Sequence, residues 1–198
     1  MNFPPKASNL LLKARIADTL EQLYEQTLVI HSQVGDEAAF TELLTVFGPR
    51  LLLFTQRMMQ SSPDQIADLT QETWVAILRA LPGLQDASKF RPWAFRIARD
   101  RIYREYRRRN LPVQSLDEAQ SETPEAANED GQAVDVEGLR HCLRSIGPEH
   151  REALVLRFLE DLSYEDIARV TGATVGTVRS RIHYGKRALR TDREKYNV

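Results

Sequence analysis

Apolar residues in the first half of the chain recur at spacings of three and four and never alternate with period two, so the pattern predicts helices throughout. Leu20, Leu23, Tyr24, Thr27, Leu28 and His31 mark a first helix. Gly35 precedes a second, with Ala39, Phe40, Leu43, Leu44 and Phe47 on one face and Gly48-Pro49 closing it. A third runs from about Arg50 to Gln60. Pro63 and Asp64 open a fourth, whose inward face is Ile66, Leu69, Thr73, Ile77 and Leu81, with Trp74 and Leu78 beside it. Its opposite face carries Asp68, Gln71, Glu72, Val75 and Arg79. Pro82-Gly83 turns the chain into a loop through Gln85, Asp86, Ala87 and Ser88. A fifth helix follows, with Pro92 in its first turn, where no backbone N–H is needed. Phe90, Trp93, Ala94 and Ile97 form one apolar row of it, and Phe95, Ala98, Ile102 and Tyr106 the next.

In the second half, Leu139, Leu143 and Ile146 predict a helix ended by Gly147-Pro148. Glu149 to Leu159 is another, with Ala153, Leu154 and Phe158 inward. Ser163 and Asp166 have the spacing of a capping box before a short helix from Tyr164 to Val170. Thr171-Gly172-Ala173 makes a tight turn, and Thr174 caps a last helix that packs through Val178, Ile182 and Leu189. Two helices joined by a glycine turn, with Ala168 at their crossing, predict a helix-turn-helix. The outward residues of its second helix are Thr177, Arg179, Ser180, Arg181, His183 and Lys186. Arginine there can pair with guanine O6 and N7, and Ser or Thr with bases or phosphates.

Charge changes this picture only when it is resolved along the chain. The 198 residues carry a formal net charge of -1. From Lys89 to Arg109, however, nine bases face two acids, Asp100 and Glu105. From Leu111 to Glu137 there are eight acids and no Lys or Arg. From Arg169 to Lys195, eight bases face two acids. The acidic stretch has no helical or strand period and few large apolar residues, so it is expected to be an extended linker rather than a surface loop. The expected organisation is an extension and helix start at 1–27, a helical bundle at 28–110, the linker at 111–136 and a helix-turn-helix module at 137–198, an all-α chain of two small domains. In the fifth helix Arg96, Arg99, Tyr103 and Arg107 share a stripe, which suits phosphates and an unpaired base. Asp68 and Glu72, like charges four apart, would be offset by a basic partner surface; alternatively they are an ordinary solvated face.

Other chemistries find little support. There is one cysteine, Cys142, so no disulfide can form within the chain. No Ser/His/Asp order, HExxH or glycine-rich phosphate loop occurs among the residues around His31, His141, His150 and His183, so no enzymatic activity and no cofactor are expected. His141, Cys142 and His150 lack zinc-ligand spacing, and no metal is expected. No basic stretch with an apolar core opens the chain, and no aliphatic or aromatic run is longer than the five residues Trp74 to Leu78. A cytoplasmic protein without membrane insertion is the expectation.

With both halves in view the chain resembles a bacterial RNA polymerase sigma factor of the sigma-70 family, in its small, two-domain extracytoplasmic-function branch. The resemblance runs from about Leu28 to Arg190. GDEAAFTEL, DLTQETW and FRPWAFRIARD resemble the family's region 2; PEHREALVLR, SYEDIA and VGTVRSRIH resemble its region 4. It implies that Asp68, Gln71, Glu72, Trp74 and Val75 bind core RNA polymerase at its β′ subunit, the β subunit being the other core partner. It implies that the loop with Asp86, Ser88 and Lys89 captures a flipped base of the −10 element. Arg96, Arg99, Asp100, Tyr103 and Arg107 would then hold the opened strand. Thr174, Thr177, Arg179, Ser180, Arg181, His183 and Lys186 would read the −35 element of promoter DNA. An anti-sigma factor is a frequent partner in the family. Three residues depart from the pattern: Asp100 stands where Asn is common, and Tyr184 and Gly185 replace a basic and a small helix-forming residue. Asp100 could accept from a cytosine amino group; Gly185 lowers helix propensity by about 1 kcal/mol. The alternative is a stand-alone helix-turn-helix regulator, which leaves the basic-aromatic helix unexplained.

Overall fold

The structure, a computed structural model, describes the backbone of residues 5–110 and 146–196 and the side chains of residues 19–109 and 146–190. The regular elements among them are all helical: α1 Pro5–Gln33, α2 Glu37–Met58, α3 Pro63–Ala80, α4 Phe90–Asn110, α5 Pro148–Phe158, α6 Tyr164–Thr171 and α7 Val175–Tyr196. Two 3-10 turns, Leu81–Gly83 and Ala87–Lys89, lead from α3 into α4. The predicted acidic linker and the helix expected from Leu139 and Leu143 lie outside the described residues.

Four helices form the first module around Phe47. Its ring meets Phe90 at 5.0 Å, Phe95 at 5.4 Å and Trp74 at 6.1 Å. The α3 face predicted inward (Ile66, Leu69, Thr73, Ile77) and the following Leu81 are buried. Two expectations change. Gly48-Pro49 does not end a helix: α2 runs through it, with Pro49 inside. An interior proline removes a backbone donor and crowds the preceding turn, at a cost of about 3 kcal/mol. Continuity offsets it. Leu43, Phe47, Leu51, Phe54 and Met58 make one unbroken buried row, and each such side chain contributes about 1.5–3 kcal/mol. The same row gives α2 a hydropathy and length that would suffice to cross a membrane, but here it faces the core.

The second correction concerns α1. Its predicted apolar face is turned outward, with Leu20 61%, Leu23 53% and Tyr24 49% exposed. Of that face only Leu28 is buried, alongside Glu25, Val29 and Ser32. The cause lies in α4. Arg91 grips Glu25 through both nitrogens, Nε at 2.6 Å and Nη2 at 3.0 Å, and rotates the helix to keep the pair together. Ser32 meets its own need by donating to the Leu28 carbonyl at 2.7 Å. A hydrophobic pattern cannot register a buried face built half from polar residues.

The second module is α5 to α7. Ser163 Oγ accepts from the Asp166 amide at 3.0 Å, while the Asp166 carboxylate accepts from the Ser163 hydroxyl at 2.6 Å rather than from its backbone N–H. Gly172 adopts φ +68°, the left-handed conformation that glycine takes without a steric penalty. Thr174 Oγ1 accepts from the Thr177 amide at 3.1 Å. Val178 and Ile182 are buried as predicted, whereas Phe158 is 52% exposed, with Lys186 Nζ 4.5 Å from its ring centre. The buried residues of α5 are instead Arg151, Glu152, Ala153, Leu154, Val155 and Leu156. They are so many because α5 is covered on two sides, by α7 and by α2 of the first module.

Gly185 proves to be a packing residue. A Cβ there would sit 2.8 Å from Leu154 Cδ1 and 3.1 Å from Leu154 Cγ, in the buried seam between α5 and α7. We predict that Gly185→Ala destabilises the protein by about 1–2 kcal/mol, overpacking outweighing the gain in helix propensity. A thermal unfolding midpoint above that of the parent would contradict this.

Candidate nucleic-acid interface

Three surfaces carry the residues singled out by sequence. On α3, Asp68, Gln71, Glu72 and Val75 stand exposed together, joined by Leu78 at 48% exposure. Trp74 does not share that surface. Its indole stands edge-on to Phe40 and Phe47 and supports the exposed row from behind. Glu72 accepts from Arg101 of α4 at 3.2 Å.

The loop before α4 is fixed by hydrogen bonds as well as by the burial of Leu81 and the packing of Leu84 and Ala87 against the core. Gln33, at the end of α1, donates its amide to the Leu81 carbonyl at 3.0 Å and the Leu84 carbonyl at 2.6 Å. Asp86 accepts from the Ser88 amide at 2.9 Å, and the Lys89 amide donates to the Asp86 carbonyl at 3.0 Å. The Ser88 hydrogen bonds hold the Asp86 carboxyl below its ordinary range. Asp86, Ser88 and Lys89 thus project into solvent on a stiff turn.

α4 presents the basic stripe. Arg96, Asp100 and Arg107 are exposed. The Arg99 guanidinium lies over the Tyr103 ring, 4.4 Å from its centre. Tyr106 points inward, its hydroxyl donating to the Met58 carbonyl. Glu105 accepts from Arg108 at 2.9 Å and Arg109 at 3.0 Å, and these hydrogen bonds hold its carboxyl low.

Sequence gave no sign of what covers the middle of this stripe. Glu152 of α5 places Oε1 2.8 Å from Arg99 Nε, a charge contact off the angle of a good hydrogen bond, and accepts from the Tyr103 hydroxyl at 3.3 Å. Burial raises the Tyr103 phenol to about 12, with the Glu152 charge adding to the effect. Burial also raises the Glu152 carboxyl, against the pull of Arg99. A second carboxylate, Glu160, lies 3.8 Å from both Arg50 and Arg57 of α2. Burial pushes it up to about 7 despite those arginines. Helix α6 packs along α4, and Asp166 reaches Lys89 at 3.9 Å. Between α4 and the α6–α7 turn lies a cleft of about 440 Å³, lined by Arg96, Arg99 and Asp100 on one side and Ala168 to Ala173 on the other.

On α7, Thr177, Arg179, Ser180, His183 and Lys186 are exposed in one band, with Thr174 at its start. Arg181 is half-buried and tied to Glu149 at 2.6 Å. Of the histidines and the cysteine considered as metal ligands, His141 and Cys142 lie outside the described residues.

Comparison with known proteins places both modules. The pattern of sigma-70 region 2 matches residues 43–111, and that of sigma-70 region 4 matches residues 137–189. The ECF RNA polymerase sigma factor SigE of Mycolicibacterium smegmatis is 33% identical over 185 residues, covering 88% of this chain and 70% of the relative. The ECF RNA polymerase sigma-E factor of Escherichia coli K12 is 30% identical over 181 residues, covering 85% of this chain and 94% of the relative. Among solved structures, the sigma factor RpoE of Bartonella quintana, in complex with the anti-sigma factor NepR, superposes with a TM-score of 0.69 at 26% identity, over 78% of this chain and 96% of that one. CnrH, in complex with the cytosolic domain of CnrY, shares the fold with a TM-score of 0.63 at 22% identity, over 85% of this chain and 96% of that one.

The loop latch makes a local prediction. Gln33→Ala removes both side-chain hydrogen bonds to the turn, so amide hydrogen exchange should quicken at residues 84–89 while the core of α2 stays protected. Unchanged exchange in the loop would contradict the latch.

Proposed function

The chain belongs to the extracytoplasmic-function sigma factors of the sigma-70 family, and from that premise we propose how its surfaces divide the work of promoter-specific transcription initiation. It is a sigma factor: it binds core RNA polymerase and directs it to promoter DNA. The reading of a stand-alone helix-turn-helix regulator is not favoured, because a sigma-70 region 2 match precedes the region 4 match on the same chain. The chain acts by binding in the cytoplasm and catalyses no reaction.

The observation that carries the residue assignment is the ordering of three distinct surfaces, each built on a rigid helix. Asp68, Gln71, Glu72 and Val75, with Leu78, present acids around an apolar strip, suited to a basic, partly apolar helix pair such as the β′ clamp. Trp74 acts from behind, by packing. Asp86, Ser88 and Lys89 receive a base unstacked from the −10 element, and Arg96, Arg99, Asp100, Tyr103 and Arg107 hold the strand it leaves. Arginines neutralise its phosphates, and the Tyr103 ring offers a stacking face. Opening the duplex needs no bond chemistry. A surface that binds only the separated strand shifts the equilibrium toward the bubble. The Asp100 carboxylate offers acceptor oxygens, which favours an amino group over a carbonyl at the base it meets.

The band from Thr174 to Lys186 enters the major groove of the −35 element by its N-terminal end. Arg179 projects freely, whereas Arg181 is held by Glu149 and exchanges that carboxylate for DNA on binding. An anti-sigma factor is a fitting partner, since the RpoE and CnrH relatives are both seen in complexes of that kind or with a cytosolic domain of a second protein.

Run-off transcription with core polymerase on genomic fragments tests the function: promoter-specific transcripts are expected, and their absence together with absent core binding would refute it. Two variants test the assignment. Arg179→Ala should weaken binding to the −35 duplex by about 1–3 kcal/mol if it reads a base, with core binding unchanged. Asp68→Lys with Glu72→Lys should abolish co-purification with core while leaving the fold intact. Unchanged −35 affinity, or undiminished core binding, would contradict the respective surface.

A further inference from the structure

Helix α1 turns an apolar face away from the module it belongs to. Leu20, Leu23, Tyr24 and Ile30, with Val34 just past the helix end, are between 49% and 82% exposed. Soluble proteins seldom leave large side chains in such a row without a partner. The charges of this segment point the other way. Between Thr19 and Val34 the only acids are Glu21 and Glu25, and there is no lysine or arginine. Glu21 lies 2.9 Å from Arg50 and 3.6 Å from Arg91, and Glu25 lies 2.6 Å from Arg91. An ordinary solvated face would carry such charges outward. His31, at the edge of the row, has Asp36 of its own chain 3.8 Å away.

The spacing of the row points to its occupant. Residues 20, 23, 27, 30 and 34 alternate steps of three and four, as the a and d positions of a heptad do. The flanking e and g positions of that register are Thr19, Tyr24, Gln26, His31 and Gln33. None is an acid, a lysine or an arginine, and charges at those positions are what select a foreign helix or repel a like one. A second copy therefore meets no like-charge barrier. Thr27, the polar member of the seam, donates its hydroxyl to the Leu23 carbonyl at 3.0 Å, so pairing leaves no donor unsatisfied there. We propose that α1 pairs with α1 of a second copy along this seam, giving a dissociable dimer with two-fold symmetry. The five apolar side chains expose on the order of 500 Å² per chain, so the pair buries on the order of 1,000 Å², where specific interfaces begin. α1 is already held in shape by α2, which removes the cost of ordering the helix on association. The seam shares no residue with the surfaces assigned to core polymerase and promoter DNA, so it adds an interaction to the functional reading rather than resting on it.

Sedimentation velocity of the full chain without polymerase tests this over about 1–300 µM, the range expected of an interface this small. The mass should rise with concentration from the 22.7 kDa of one chain toward twice that value. Leu23→Glu with Ile30→Glu sets acids on both sides of the seam and should leave a single chain at every concentration. Both positions are more than half exposed, so far-UV circular dichroism should stay that of the parent. If the double variant fails to fold, Leu23→Gln decides: it should raise the dissociation constant about ten-fold or more. Val75→Glu with Leu78→Glu makes the same change on the exposed apolar strip of α3 and should leave the dimer in place. A parent that stays monomeric across the range, association that survives the α1 variants, or association lost in the α3 variant overturns the seam. Run-off transcription by the parent with core polymerase is independent of these outcomes, so its failure would strike the functional reading instead.

Discussion

An arginine cannot discharge itself at any pH a cell meets, so a row of guanidinium groups on a helix must always find an anion. α4 is organised around that constraint. Its first turn is anchored by Arg91 on the buried Glu25, its apolar rows close on Phe47 and Phe54, and its last turn is trimmed by Glu105 on Arg108 and Arg109. Arg96, Arg104 and Arg107 face outward, with the partly buried Arg99 and Tyr103 between them. In the structure the anion at their centre is Glu152. In the proposed function the anion on an open promoter is phosphate.

Reach follows from this. Two modules that rest on one another must also engage elements on the order of 80 Å apart. Residues 111–145, between the described parts, number 35 and can span at most about 120 Å. Their sequence carries eight acids and two arginines, so the near-zero total charge is a sum over segments of opposite sign. Net charge alone would have argued against nucleic acid, and only its distribution restores the reading.

Much of this was legible beforehand, and the misses share a cause. The inward face of α3, the two rows of α4, the Ser163 and Thr174 caps and the Gly172 turn depend on local spacing, and local spacing is written in sequence. The α1 face, the unbroken α2 and the role of Gly185 depend on what lies opposite. Glu25 is buried because Arg91 is 66 residues away in sequence and 2.6 Å away in space. Pro49 is tolerated because the buried row of α2 continues past it on both sides. Gly185 looks like a weak helix residue until Leu154 is placed against it. The exposed band of α7 could be read directly, but Arg181 could not be separated from Arg179, since Glu149 lies on another helix. Glu152 and Glu160 were the least legible of all: acids in an amphipathic segment look solvated, and only the docking of the modules buries them.

In the proposed function the chain opens a promoter by binding the separated strand on α4. The most direct measurement places a fluorescent base analogue in the −10 region of a promoter selected by the holoenzyme and follows its unstacking. Core polymerase with the parent chain should raise the fluorescence, and core with Arg99→Ala and Tyr103→Ala should bind the same fragment with little rise. An equal rise with that variant would contradict the role of α4.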